Sequence, residues 1–596
     1  MSKHRNRFGL YRQAERTDGA DHSKNLLFES EALQDCLFLS ILVILPLLLY
    51  VRDLGFYGTD WHLVGCMSLS EDQSLSGLFQ SITSDRARMR PLQTLYTAGL
   101  YWLFGPHPLG YHLVNAVVLV SNAVLFYLVL RLMNRRRVLC LAAAAAYALL
   151  PHSSTTRFWL QAFAGNLSMT FYFLSFYSDL RALSVERKTL WGWKVLSLLG
   201  LVTSTMLYEV ALPLFLLNPL FVWYRGRQII ERPLGGRVPF QQLIRTNFKV
   251  LLGINLLALM PIIAFKLLTT IRIGELTDLP KNIGWITKGA FAFDYGEHDY
   301  SLSYIHALAV AYGDYGLRLP NVVWKIIRDY PDPAAFAMAG ALALFIFFYL
   351  YFAARESTAG HPSPANMTKF IRWGLVVFGL GYAVFLTNYN VQFTNTGMAN
   401  RTAIAAAVGV ALTQIGALGW LSTLLRSERW RKRAFGVLVA LLCTTGFLIN
   451  NALASFWSAA SRQQQEILAD IRKQFPALPA GSTLILDGAC PYIGPASVFE
   501  SGWELVGALM MIYRDSALRA EIVTPNLKAT PNGLVKSQGG KKYHYPYENL
   551  FVYHFVKKQG RQLTDAETAK QYFQASGANH GQGCPESHYG FGVAVF

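Results

Sequence analysis

The feature that most constrains this chain is a repeated apolar block of helix-spanning length. Such blocks fall at about 37–51, 112–133, 138–154, 162–179, 193–208, 210–224, 250–268, 334–354, 371–387, 402–425 and 434–453. A hydrocarbon core of about 30 Å needs about 20 apolar residues in a helix, and backbone in lipid must satisfy its own hydrogen bonds. The blocks therefore predict a mainly α, polytopic membrane protein with about eleven transmembrane helices. The composition agrees, with 53% apolar and 15% charged residues. Lys and Arg outnumber Asp and Glu by 54 to 36, but the excess lies mostly in short connections between apolar blocks. It reads as topology, and no nucleic-acid partner is expected.

Arginine placement orients the chain. A cytoplasmic N-terminus puts NRRR (134–137), RALSVERK (181–188), the stretch 224–237, AARES and RSERWRKR (426–433) all inside. The polar N-terminal segment is too long and lacks a small-residue cleavage site, so the first block is expected to remain as an anchor. One segment tests the count. RPLQTLYTAGLYWLFG, 90–105, is apolar, but Leu92 to Phe104 gives only about 20 Å of helix, too short to span. It is expected to be a juxtamembrane or re-entrant helix, started by Pro91, that closes an outer loop over 52–111. A second outer loop covers 269–333. Residues 1–454 thus form a membrane domain, and 455–596 a small extracytoplasmic α/β domain. There SAASRQQQEILADIRKQF reads as helix, STLILDG as strand, VFESGWELVGALMMIYRDSAL as helix and AEIVTP as strand.

Of six cysteines, Cys36, Cys66, Cys140 and Cys443 lie in or beside apolar blocks and read as packing residues. Cys490 and Cys584 fall in the polar C-terminal region, where an oxidising compartment would permit a bridge.

Ionisable groups at the edges of spans are functional candidates, because each costs several kcal/mol unless paired or hydrated. Asp60 stands in FYGTDWHLVG as the chain leaves the first span. Glu209 sits between two apolar arms too close together for a loop, so a sharp turn is expected, with either a functional role or a snorkelling, paired carboxylate. Arg401 ends an outer connection and opens an apolar helix, where the dipole disfavours a cation. A salt bridge to Glu209 or Asp60 would offset that cost, as would a bound phosphate. Asp85, Arg86, Arg88 and Arg90 form a mainly basic cluster that suits lipid headgroups or substrate. His152 and Arg157 cap the third span. DYGEHDY, 294–300, has metal-binding residue types without helical i, i+4 spacing and reads as a solvated loop.

Asp60, Glu209 and Arg401 fall on one side in this topology. That order resembles the GT-C superfamily of membrane glycosyltransferases, most of all its protein O-mannosyltransferase branch. The resemblance rests on Asp60; on RPLQTLYTAGLYWLFGPHPLGYHLVNAVVLVSNAVLFYLVL, similar to the family's RP, LFG, HxxN and NAxL series; on LLPHSSTTRFWLQAFAGNLS; on YEVALPL; and on GMANRTAIAAAVG. It covers about the first 430 residues loosely. The chain departs from the family pattern in having Thr59 before Asp60, where a second acid is common, and Asn166 after Gly165, where an acid follows. Those losses weaken the case for a divalent metal, and no cofactor is required. The resemblance implies an enzyme that moves a sugar from a polyprenyl-phosphate donor to an acceptor hydroxyl outside the membrane. Attack opposite the phosphate is expected to invert the anomeric centre, and a bacterial inner membrane is expected because no endoplasmic-reticulum retention signal ends the sequence. Asp60 would be the general base and Arg401 the donor-phosphate ligand, with Arg90 and Arg88 assisting. Glu209 would orient Arg401 or the acceptor. Tyr57, Trp61, His62, His152 and Asn166 are candidate substrate contacts. Two other classes stay open: a flippase, although no inverted repeat with broken helices is visible, and a non-catalytic scaffold.

Overall fold

The structure is a computed structural model that describes residues 30–84, 87–134, 136–230, 238–273, 303–356, 363–387, 391–538 and 541–575. In chain order its helices begin with α1 (Ser30–Leu47), α2 (Thr59–Ser68), α3 (Leu75–Ser81), α4 (Pro91–Phe104) and α5 (Pro108–Met133). There follow α6 (Arg137–Leu149), α7 (Leu160–Ala182), α8 (Arg187–Leu207), α9 (Leu212–Ile230) and α10 (Val238–Ile273). After α11 (Tyr304–Leu308) a π-helix, Ala309–Leu317, leads to α12 (Leu319–Asp329), α13 (Pro333–Glu356), α14 (Pro364–Ala383), α15 (Ala406–Ser422) and α16 (Glu428–Gln474).

Every apolar block falls on a helix. Among the described residues, six helices (α1, α5, α8, α10, α13 and α16) are long and apolar enough to cross a membrane. A seventh crossing results if α6 and the following 3-10 segment Pro151–Arg157, bent by 54°, count as one span. This is an integral membrane protein. The other four blocks, on α7, α9, α14 and α15, are shorter or less apolar. The reason is plain in α7, which lies inside the bundle and buries Asn166, Ser168, Ser175, Ser178 and Asp179. Lipid does not touch those faces, so they tolerate polar side chains that partners satisfy. Asp179, for example, accepts from Lys194 at 2.9 Å and from Asn255 at 2.7 Å, tying α7 to α8 and α10. The end of the bundle where α1 begins is closed by Asp35, which pairs with Arg137 at 2.8 Å and accepts from Tyr127 and Tyr349.

α4 is a helix of 14 residues with proline in its first turn, as expected for 90–105. The last apolar block differs from expectation in one respect. α16 runs unbroken for 47 residues, about 70 Å, straight through position 454 and into the expected second domain. The polar helix read at its end is the same rod, because no Gly or Pro falls between Phe447 and Gln474.

Beyond α16, β1 (Thr483–Asp487) forms the centre of a sheet whose order is β4 (Arg519–Ile522), β1, β8 (Leu550–His554) and β9 (Gln559–Gln562). It is fully buried along its length, the pattern of a parallel strand covered on both faces. The short pair β2 (Tyr492–Ile493) and β3 (Ala496–Ser497) precedes α17 (Gly502–Tyr513). β4 and β8 flank β1 in parallel, and β9 adds an antiparallel edge. Between β4 and β8 lies a separate antiparallel meander of β5 (Leu527–Thr530), β6 (Gly533–Gln538) and β7 (Lys541–Tyr545). α18 (Ala566–Ala575) follows β9. The C-terminal region is the α/β unit that its sequence pattern predicts, with the meander as an unforeseen addition.

Candidate active site

Asp60 is the second residue of α2 and is 0% exposed. The turn that presents it needs glycine: Gly58 has φ +54°, and a Cβ there would meet Met398 Cε at 2.7 Å. Asp60 Oδ2 accepts the Tyr57 amide at 3.1 Å and the Leu160 amide at 3.3 Å. Leu160 opens α7, so the carboxylate stands at the N-termini of two helices, where the backbone dipoles favour negative charge. Among the described residues, Oδ1 has no hydrogen-bond partner. Burial pushes the carboxyl up to about 8, and the amides of Tyr57, Leu160 and Gln161 with the Trp159 side chain only partly offset that.

Arg401 lies close by, through one side chain. Its guanidinium carbon sits 4.9 Å over the Trp159 ring, and its Nη1 donates to the Met398 carbonyl at 2.8 Å. The Trp159 indole donates to the Tyr57 carbonyl at 3.0 Å, at the turn that carries Asp60. Among the described residues no carboxylate lies within ion-pair distance of Arg401, so neither expected salt bridge forms. Nor does Arg401 open a helix. It belongs to a 3-10 turn, Met398–Ala403, and α15 starts only at Ala406, so the unfavourable dipole is avoided. Asn400 fixes this turn, donating to the carbonyls of His152, Thr394 and Asn395 at 3.0–3.1 Å. Its own side-chain oxygen accepts from Ser154 and Thr155.

Glu209 occupies the sharp turn expected between α8 and α9. It binds Arg90, whose Nε approaches its two oxygens at 3.2 and 2.9 Å, and lies 3.5 Å from Lys266 Nζ. The Arg90 guanidinium also sits 4.1 Å over the Tyr208 ring. Burial alone would raise the Glu209 carboxyl, but Arg90 outweighs it and Lys266 assists, so the group is held down at about 2. The expected partner Arg401 is not the one it takes. Among the described residues the cluster holds two positive groups and one negative, and its side chains are 12–33% exposed. Gln93 of α4 approaches Gln161, next to Leu160, at 3.3 Å, which joins the Arg90 and Asp60 regions into one end of the bundle.

The other sequence candidates divide. Tyr57 is fully buried, and its hydroxyl donates to the Trp457 carbonyl at 2.8 Å. His152 contacts the Ala311 carbonyl at 2.9 Å and packs edge-on against Tyr315. Asn166 donates to Asn115 and to the Thr156 carbonyl within the bundle. These three are committed to internal contacts. His62 faces away from Asp60, toward Trp503 and Cys66. Trp61 packs between Phe56 and Phe499, and its indole nitrogen has no partner among the described residues. Arg88 is exposed, while Asp85, Arg86 and 294–300 lie outside the described residues. Cys490 is disulfide-bonded, and Cys584 lies outside the described residues. No group of three or more His, Cys, Asp or Glu among the described residues is placed to hold a metal ion.

Sequence reasoning missed Lys266, Trp159 and Asn400. Lys266 had a signal, a lone lysine inside the apolar run LLALMPIIAFKLL. The other two act only through the fold.

No family model and no curated protein matches the chain. Among solved structures, it is similar to ArnT from Cupriavidus metallidurans in the apo state, with 14% identity and TM-score 0.33 over 85% of this chain and 86% of that one. ArnT from the same organism bound to undecaprenyl phosphate gives 17% identity and TM-score 0.32 over 84% and 86%. TM-scores this low leave the functional reading to rest on the geometry of the site.

Proposed function

We propose that this protein transfers a sugar from a polyprenyl-phosphate carrier to an acceptor hydroxyl, on the extracytoplasmic side of a membrane. The observation that supports it is a buried carboxylate whose Oδ1 has no hydrogen-bond partner among the described residues, one indole away from a guanidinium with no carboxylate partner among them. A scaffold has no use for either group in that state.

The chemistry follows from the charges. The acceptor oxygen attacks the anomeric carbon while the bond from that carbon to the phosphate oxygen breaks, its electron pair leaving on the phosphate. The acceptor proton passes to Asp60. Attack opposite the phosphate inverts the anomeric centre. Negative charge grows on the departing phosphate, where a guanidinium stabilises it by paired, charge-assisted hydrogen bonds. Arg401 is the first such group, and Arg90 with Lys266 forms a second, which Glu209 holds side by side. The acceptor reaches Asp60 when the packing of Met398 and Trp159 over Gly58 opens.

The test is to incubate purified protein in bilayers with labelled polyprenyl-phosphate sugars and a mixed pool of hydroxyl-bearing lipids, glycans and proteins as acceptors. Release of polyprenyl phosphate is expected. Movement of the intact carrier across the bilayer would mark a flippase, and neither event would leave only the scaffold.

A further inference from the structure

We propose that the C-terminal domain positions Asp60 by clamping α2 along its length, with Gly65, Gly507 and Arg514 as positioning residues. The proposal rests on the reading of Asp60 as the base.

α2 has only ten residues and no side-chain N-cap. A helix that short does not hold itself together in water, since nucleation costs more than a few hydrogen bonds return. Its order must come from packing, and α17 supplies it. At the start of α2, Trp61 meets Phe499 and His62 meets Trp503, each pair with ring centroids 6.2 Å apart. In the middle the two backbones touch. A Cβ on Gly65 would lie 2.5 Å from the Gly507 carbonyl oxygen, and one on Gly507 would overlap the Trp61 carbonyl. Glycine is needed at both positions for close approach. At the far end, Arg514 Nη1 donates to the Ser68 carbonyl at 2.7 Å, one of the terminal carbonyls that a helix cannot satisfy internally.

α17 is itself fixed. Glu504, 1% exposed, accepts from the Glu500 amide at 3.0 Å and from the Ser497 and Ser501 hydroxyls, which seals its N-terminus. α17 also packs on β4, so the sheet, α17 and α2 form one continuous stack. Asp60 is therefore held from two sides: α7 through the Leu160 amide, and the C-terminal domain through the helix that carries it.

Gly507→Ala and Arg514→Ala test this in the full-length protein. Three quantities are read: polyprenyl-phosphate release against pH, donor KM, and hydrogen exchange of residues 59–68 with 108–133 as internal control. For Gly507→Ala, kcat is expected to fall about tenfold or more with donor KM within about twofold, because a small misplacement of a catalytic group is costly. The pH–rate limb should move toward acid as the carboxyl becomes wetter, and exchange should quicken in 59–68 alone. Arg514→Ala should act in the same direction by about threefold, a lost cap being milder, and it decides the matter if the alanine at 507 prevents folding. Unchanged exchange would overturn the clamp. Faster exchange with wild-type kcat and pH limb would overturn the positioning role. If Asp60→Asn keeps full turnover, the catalytic reading fails separately, and the exchange data still report on the clamp.

Discussion

Asp60 and Glu209 are two carboxylates at one end of one helix bundle, and their surroundings give them opposite characters. Asp60 is buried among neutral donors, the amides of Tyr57, Leu160 and Gln161 with the Trp159 side chain, and is pushed up to about 8. Glu209 is gripped by Arg90 and Lys266 and held at about 2. Residue type predicts neither value. The lesson is that a carboxylate without a cation can exchange a proton near neutral pH, whereas one between two cations is a fixed charge that organises them.

The sharpest test of that contrast is Asp60→Asn against Glu209→Gln. The first is expected to lower turnover by about a hundredfold or more, the loss of a general base. The second should leave turnover within a few-fold, and an equal loss in both would abolish the distinction. Next comes pH. Asp60 must be ionised to accept a proton, so turnover should rise about tenfold per unit up to about pH 8 and then level off. A flat profile between pH 6 and pH 9 would remove Asp60 as the titrating group. Arg401→Ala should weaken donor binding about tenfold with expression intact, as expected for a lost charge-assisted contact to phosphate. If Lys266→Ala weakens it more, the second cationic group is the main phosphate seat. The smallest effect concerns stability. Glu209 ionises at about 2 in the folded protein against 4.5 for an unperturbed side chain, so its contribution is fully present above about 4.5 and is lost as pH falls through about 2. Glu209→Gln should lower stability at neutral pH by roughly 1–2 kcal/mol, leaving two cations without their shared anion, and should flatten the acid-dependent part of thermal unfolding profiles.

Much of this arrangement was legible in the chain. Apolar blocks located the helices because lipid imposes a length and a polarity that few other environments do. Asp60, Glu209 and Arg401 stood out because each interrupts such a pattern. The wrong pairing of Glu209 has a physical cause: sequence shows which charges share a side but not which are within about 4 Å, and Arg90 was already nearby at the start of α4. Tyr57, His152 and Asn166 were plausible contacts by type, yet hydroxyls, rings and amides serve equally well to satisfy buried backbone. The Gly65–Gly507 crossing was invisible, since neither glycine has a local sequence signature and the two lie far apart in the chain.

α16 joins bilayer and C-terminal domain without a hinge. Any tilt that lipid thickness imposes on its apolar half should be carried to the sheet, which it grips through Asp470 to Tyr553 and Lys558, and from there to α17 and α2. Bilayers of different acyl length should change the protein's rate even where the substrates stay the same, and equal rates across them would show that the rod gives way.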